Sequence, residues 1–162
     1  MSETKIEHTL GRLEPGAELG VSPWVTVTQA MVDGFGAFTL DPDPMHIDPE
    51  WARINSPFGG TIAFGFLTVS LLSHLLHAVL GSQPTREPRH CGYYLNYGFD
   101  RLRLVSPVRV GKRIRGRFAV HERRQDERKR LVTIFNCTVE IEAEARPALS
   151  AQWLTVWVPP VS

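Results

Sequence analysis

Cysteine, net charge and leader-like segments are what this chain has least of. With two cysteines in 162 residues, Cys91 and Cys137, it cannot be a small disulfide-stapled fold. Each lies in a strand-like run, so both are expected as reduced core residues of a cytosolic protein, without a disulfide. A formal charge of +1 argues against an extended nucleic-acid surface, which needs clustered excess charge. The first ten residues, MSETKIEHTL, lack a basic segment followed by an apolar one, so no secretory signal is expected. Internal repeats and low-complexity tracts are also missing, and one domain over residues 1–162 is expected. The longest apolar run, residues 61–80, is about long enough to cross a bilayer. It carries Ser70, Ser73, His74 and His77 in one stripe roughly 100° wide and has no basic anchor at either end. Such a helix is expected to be wrapped by protein, here by a sheet.

What is present is a pattern of helices followed by strands. Residues 22–28 (SPWVTVT) read as a short strand ending on an N-cap at Thr28. A helix then follows to about residue 38, with Met31, Phe35 and Phe38 at one-face spacing. Gly34 and Gly36 weaken it by roughly 1 kcal/mol each relative to alanine, so close packing is expected to compensate. The run Asp41-Pro42-Asp43-Pro44 cannot continue that helix, because a residue before proline is pushed toward extended geometry. Asp48-Pro49 restarts a short helix as N-cap and first-turn proline. The long helix ends at Gly81, and a polar connector spans residues 83–89. Strands are expected over 90–105, 113–120, 131–143 and 149–158. The second and third of these read as a hairpin tipped by the charged run 123–130. With its centre at Asp126-Glu127, Arg113 falls opposite Glu140. One long helix and several antiparallel strands make the fold class α+β, with the sheet curled round the helix.

The chemistry concentrates at the proline-stiffened loop. Asp41 and His46 are five residues apart, a step that spans up to about 17 Å when fully extended. The loop must therefore curve for both to reach one water. A carboxylate can orient and deprotonate that water, and an imidazole can relay a proton near neutral pH. Spacing alone leaves a turn aspartate and a structural histidine as an open alternative.

The strings DPDPMHIDPEWA and FGGTIAFGFLTVSLLS, followed later by LNYGFDRLRLVSPVRVGKRIRGR, resemble the MaoC-like dehydratases. That group includes the (R)-specific enoyl-CoA hydratases with a hot-dog fold, and the likeness extends to its NodN-like bacterial members. The resemblance implies that Asp41 and His46 are the catalytic pair and that the Gly65 N–H polarises the thioester carbonyl. It gives Ser73 a supporting role. The implied reaction is reversible syn hydration of a trans-2-enoyl-CoA to a (3R)-hydroxyacyl-CoA, without metal or redox cofactor, in a cytoplasmic homodimer. Coenzyme A then enters only as part of the substrate, with a carrier protein as the other possible acyl carrier; neither nucleic acid nor a membrane is an expected partner. Two positions depart from the family pattern: Asp43 stands where asparagine is common, and Phe64 where a histidine usually precedes the glycine. Asp43 and Phe64 are accordingly expected at the substrate pocket.

Plainer readings stand beside these. Gly65 equally suits close helix–sheet packing, and Ser73 could bond a backbone carbonyl. His74 and His77 have metal-pair spacing but no clear third ligand. Asp48 is accounted for as an N-cap. The cationic run 123–130 suits a solvated hairpin tip, with contact to coenzyme A phosphates the lesser reading. Two functional rivals remain: a hot-dog acyl-CoA thioesterase, and an acyl-thioester-binding protein that has lost turnover through Asp43 and Phe64.

Overall fold

A computed structural model describes residues 13–81 and 86–160. Its frame is an antiparallel sheet: β1 (Glu18–Val21), β2 (Val25–Thr26), β3 (Tyr93–Leu104), β4 (Arg113–Gln125), β5 (Leu131–Ile141) and β6 (Leu149–Val158). The strand order is β1-β4-β5-β6-β3, with β2 also pairing to β4. Period-two patterning explains why one face is buried. Ile114, Gly116, Phe118 and Val120 alternate inward along β4, opposite Phe135, Cys137 and Val139 of β5.

The described residues also form six helices: α1 (Gln29–Thr39), α2 (Pro44–Ile47), α3 (Pro49–Asn55), α4 (Gly65–Ser70), α5 (Leu72–Leu80) and α6 (Pro88–Cys91). The inner sheet face packs on α4 and α5 through Leu67, Leu72, Leu75 and Leu76, which join Ile114, Phe118, Phe135 and Trp153 in one core. Fully burying a side chain such as Leu72 or Leu75 contributes about 1.5–3 kcal/mol. Gly116 makes the closest approach possible, since a Cβ there would lie 3.0 Å from Leu75 Cβ.

Local signals place several ends as expected. Thr28 caps α1 by accepting from the Met31 N–H, and Asp48 caps α3 by accepting from the Trp51 N–H at 2.9 Å. Gly81 ends α5 in the left-handed conformation at φ 61°.

Other expectations are corrected. The long helix is two, turning at Leu71, and residues 61–64 precede it without helical structure. Ile62 instead forms a bridge with Arg109. The first strand, expected over residues 22–28, is reduced to the two residues of β2, and β1 precedes it as a strand the sequence reading did not expect. In α1 the buried positions are Val32 and Gly36, whereas Phe38 is 91% exposed in the last turn. Gly36 is tightly surrounded, but nothing lies within 4 Å of a Cβ at Gly34, so only one of the two glycines answers to close packing. Residues 88–91 wind into α6 because Pro88 supplies a first-turn φ, so Cys91 sits in a helix and is part-exposed; Cys137 is buried, and both are free thiols. The hairpin loop closes through Asp126 and Arg130, whose N–H and carbonyl groups bond at 3.0 Å, and a bulge falls between Val120 and Glu122. Arg115, not Arg113, therefore faces Glu140, and Arg113 pairs with Glu142. The connector at 83–89 falls partly, and residues 1–10 wholly, outside the described residues.

Candidate active site

The loop after α1 is shaped by its own short-range bonds. Leu40 takes the left-handed conformation at φ 58°, and the Asp41 N–H returns to the Gly36 carbonyl at 3.0 Å. The Asp43 N–H donates to Asp41 Oδ1 at 3.2 Å, and Asp43 Oδ1 accepts from the Met45 N–H at 2.8 Å. Asp43 is thus the N-cap of α2, a role that needs only an acceptor. A carboxylate serves there as well as an amide would.

That cap places His46 in the single turn of α2. Its Nδ1 lies 2.7 Å from the Ile62 carbonyl. A carbonyl can only accept, so Nδ1 carries the proton, and in the neutral ring Nε2 is left with a free lone pair. Ile62 also donates its N–H to the Met45 carbonyl at 3.3 Å, so residue 62 grips α2 from both sides. Gln29 completes the clamp. Its Nε2 donates to the His46 carbonyl at 2.8 Å and to Asp33 Oδ1 at 2.7 Å, while its Oε1 accepts from Thr61 Oγ1 at 2.7 Å. Gln29, Thr61 and Ile62 are site-building residues that no local pattern marks.

Phe64 is buried and packs its ring on His46, centroids 3.9 Å apart, and on Phe35 at 5.3 Å. A Cβ at Gly36 would meet Phe64 Cζ at 3.2 Å and the Asp41 carbonyl at 3.0 Å, so a larger residue beside this stack would make its neighbours shift by a few tenths of an ångström. Phe64 therefore fills the space between the Asp41 turn and the His46 ring.

Four of the expected site residues divide among three cavities, whereas Asp43 and Phe64, expected at the substrate pocket, line none of the three: Asp43 is held as a helix cap and Phe64 is packed on His46 and Phe35. His46 and Gly65 share one of about 210 Å³, with Thr68, Leu104, Ser106 and Val108 also in its wall. Asp41 lines a neighbouring space of about 480 Å³ with Gly36, Leu40 and Ile47. No hydrogen bond joins Asp41 to His46 among the described residues. Ser73 lines a third cavity of about 260 Å³ with His77, Tyr94 and Trp153, apart from the other two. Gly65 opens α4, where the first N–H groups have no intrahelical partner, and its N–H has none elsewhere among the described residues. Its lack of a side chain also serves packing, because an added Cβ would overlap Leu104 Cδ1. Burial, and then the charge of His74, lowers the pKa of His77. Among the described residues no cluster of three or more His, Cys, Asp or Glu side chains could hold a metal, and no helix is long and apolar enough to cross a membrane.

Comparison with known proteins gives this arrangement a context. The MaoC like domain matches residues 12–141. The chain belongs to the MaoC-like dehydratase family. Nodulation protein N of Rhizobium leguminosarum bv. viciae is 48% identical over 141 residues, 87% of this chain and 84% of that protein. The 3-hydroxyacyl-thioester dehydratase Z of Mycobacterium tuberculosis (strain H37Rv) is 34% identical over 143 residues, covering 88% of this chain and 90% of its own length. Among solved structures, a MaoC-like dehydratase from Rhodospirillum rubrum superposes with a TM-score of 0.71 at 22% identity, covering 94% of this chain and 97% of that one. The (R)-hydratase from A. caviae gives a TM-score of 0.69, also at 22% identity, over 93% and 98% of the two chains. At that identity the structures speak for the fold alone, and the fold is the hot-dog fold of the MaoC-like family.

Proposed function

We propose that this protein catalyses the reversible hydration of a trans-2-enoyl thioester to a (3R)-3-hydroxyacyl thioester. The observation that carries the reading is the tautomer of His46. With Nδ1 donating to the Ile62 carbonyl, Nε2 is the basic nitrogen of a side chain that lines the same cavity as the unpartnered Gly65 N–H. A base and an amide donor in one small apolar chamber are the two parts that thioester hydration needs. Membership of the MaoC-like dehydratases and the name of the mycobacterial relative point the same way.

In the hydration direction, water is held by the Asp41 carboxylate and His46 Nε2. Its oxygen adds to C3 of the enoyl group as one proton passes to the Asp41–His46 pair. The displaced electron pair moves to the thioester oxygen, where the Gly65 N–H stabilises the enolate. The pair then returns its proton to C2, so one water is added and no redox change occurs. Asp41 lines a different cavity from His46 and must reach out of it to share that water. Ser73, in a separate cavity, takes no step here. The β3 edge presents a long unpaired ladder with Leu95 and Tyr97 exposed, which suits pairing with a second copy.

Crotonyl-CoA incubated with the protein should lose its enoyl absorbance without releasing free thiol, and Asp41→Asn should slow this about 10² to 10⁴-fold. Release of thiol at the rate of enoyl loss would identify a thioesterase. Tight binding with no turnover, unchanged in Asp41→Asn, would leave only a thioester-binding protein.

A further inference from the structure

The turn that carries His46 is too short to hold itself in place. α2 is four residues long, and a single helical turn fixes more backbone than its own bonds return. Its carbonyls find donors elsewhere. The Met45 carbonyl accepts from the Ile62 N–H at 3.3 Å, and the His46 carbonyl accepts from Gln29 Nε2 at 2.8 Å. The His46 ring is held in turn by the Ile62 carbonyl, 2.7 Å from Nδ1. Ile62 follows Thr61, whose buried hydroxyl donates to Gln29 Oε1 at 2.7 Å. Gln29, His46, Ile62 and Thr61 therefore close a circuit of hydrogen bonds joined by one peptide link.

Within that circuit the Gln29 amide has one orientation. A carbonyl and a carboxylate accept, so the two Nε2 hydrogens face His46 and Asp33, and Oε1 faces Thr61. Asp33 is exposed and lies one helical turn beyond Gln29, so it holds the amide from α1 itself. Asp33 also borders the cavity that Asp41 lines, whereas His46 borders the one with Gly65. Gln29 thus bonds to a wall residue of each. The same helix anchors Asp41, whose N–H returns to the Gly36 carbonyl at 3.0 Å. Gln29 and Gly36 stand about 10 Å apart along the axis of α1. Both proposed reacting groups are thereby referenced to one helix, His46 from its first residue and Asp41 from near its end.

We propose that Gln29 is a positioning residue for the hydration step: through the His46 carbonyl it sets the imidazole where one water can reach both His46 and Asp41. Asp33 and Thr61 hold the Gln29 amide in the orientation this needs. The proposal rests on the hydratase reading of Asp41, His46 and Gly65. Gln29 touches neither the water nor the thioester in this role and acts only through where His46 stands. A displacement of about 1 Å at a reacting group costs on the order of 10²-fold in rate. A contact that served α1 alone would end at Asp33, four residues on, whereas the bond to His46 spans 17 residues.

The test combines kinetics on crotonyl-CoA with the state of the imidazole. Gln29→Met keeps the length of the side chain and removes its hydrogen bonds. Its kcat should fall by on the order of 10²-fold with KM nearly constant. Thr61→Val should lose part of the rate and Thr61→Ser, which keeps the hydroxyl, should restore it. ¹⁵N NMR should show His46 as the Nδ1–H tautomer in the unaltered protein and as a mixture of tautomers in Gln29→Met. Asp33 is exposed, so its variants keep the test open should Gln29→Met fail to fold. Asp33→Ala should lower kcat, and Asp33→Asn, whose amide oxygen still accepts, should recover it. A Gln29→Met rate within about threefold of the unaltered protein would overturn the proposal. So would a raised KM at constant kcat, which would put Gln29 on the substrate, or a lost rate with the His46 tautomer unchanged. If the unaltered protein hydrates no enoyl thioester, the hydratase reading fails, and the imidazole spectra still decide whether Gln29 fixes His46.

Discussion

Replacing His46 separates its structural work from its chemical work. In His46→Ala the Ile62 carbonyl loses its donor, which costs about 1–3 kcal/mol for a group shut away from water. The Phe64 ring loses a stacking partner, worth about 0.5–1.5 kcal/mol. Together these should lower thermal stability by on the order of 10 °C for a chain of this size. Activity should fall further than stability explains, by about 10² to 10⁴ in kcat, with KM little changed. His46→Gln makes the comparison decisive. Its amide N–H can still reach toward the Ile62 carbonyl, so much of the stability should return, but an amide cannot relay a proton and the rate should stay low. Thermal melts followed by circular dichroism, together with enoyl-CoA kinetics on both variants, measure the two effects. A His46→Ala variant within threefold of the starting rate would refute the proton-transfer role. So would a His46→Gln variant that regains rate and stability together.

Three further outcomes follow from particular contacts. Gly65→Ala keeps its N–H but drives a methyl group into Leu104, a half-exposed wall residue able to swing into the cavity. Its kcat/KM should drop about tenfold with little change in melting temperature, and Leu104→Ala in the same chain should restore it; failure of that rescue would mean that Leu104 is not what the methyl displaces. Gly116→Ala puts a Cβ 3.0 Å from Leu75 Cβ and 2.8 Å from Phe118 Cζ, and should cost about 1–3 kcal/mol, seen as a lower urea midpoint at unchanged slope. Burial raises the pKa of Cys137 from 9.0 to about 12. The folded state therefore binds this proton more tightly than the unfolded chain. That stability is fully present below pH 9 and is lost as pH rises toward 12, at up to about 1.4 kcal/mol per pH unit. Urea melts across that range should show the decline, and Cys137→Ala should flatten it.

Much of the fold was legible because its signals are local. Thr28 and Asp48 cap helices through N–H groups three residues away, Gly81 ends α5 through its own φ, and the alternation along β4 and β5 needs only neighbours in sequence. Asp41 and His46 could be singled out from their spacing and from the family resemblance, which was the source of Gly65 as well. The sequence by itself determined the caps at Thr28 and Asp48, the end of α5 at Gly81, the β4–β5 hairpin, the fold class and the loop to which the chemistry is assigned.

The tertiary structure alone decided how those parts meet. His46 is fixed by a carbonyl 16 residues away, and Gln29 ties α1 to α2 and to Thr61, contacts with no periodicity to betray them. Phe64 stacks on both Phe35 and His46 because α1, α2 and the start of α4 converge there. Arg113 meets Glu142 because a bulge several residues away resets the register. Hydrogen-bond reach extends about 3 Å through space, whatever the separation along the chain. A chain's local preferences can therefore specify many of the elements, while the chamber and the tautomer of His46 exist only once the elements have packed.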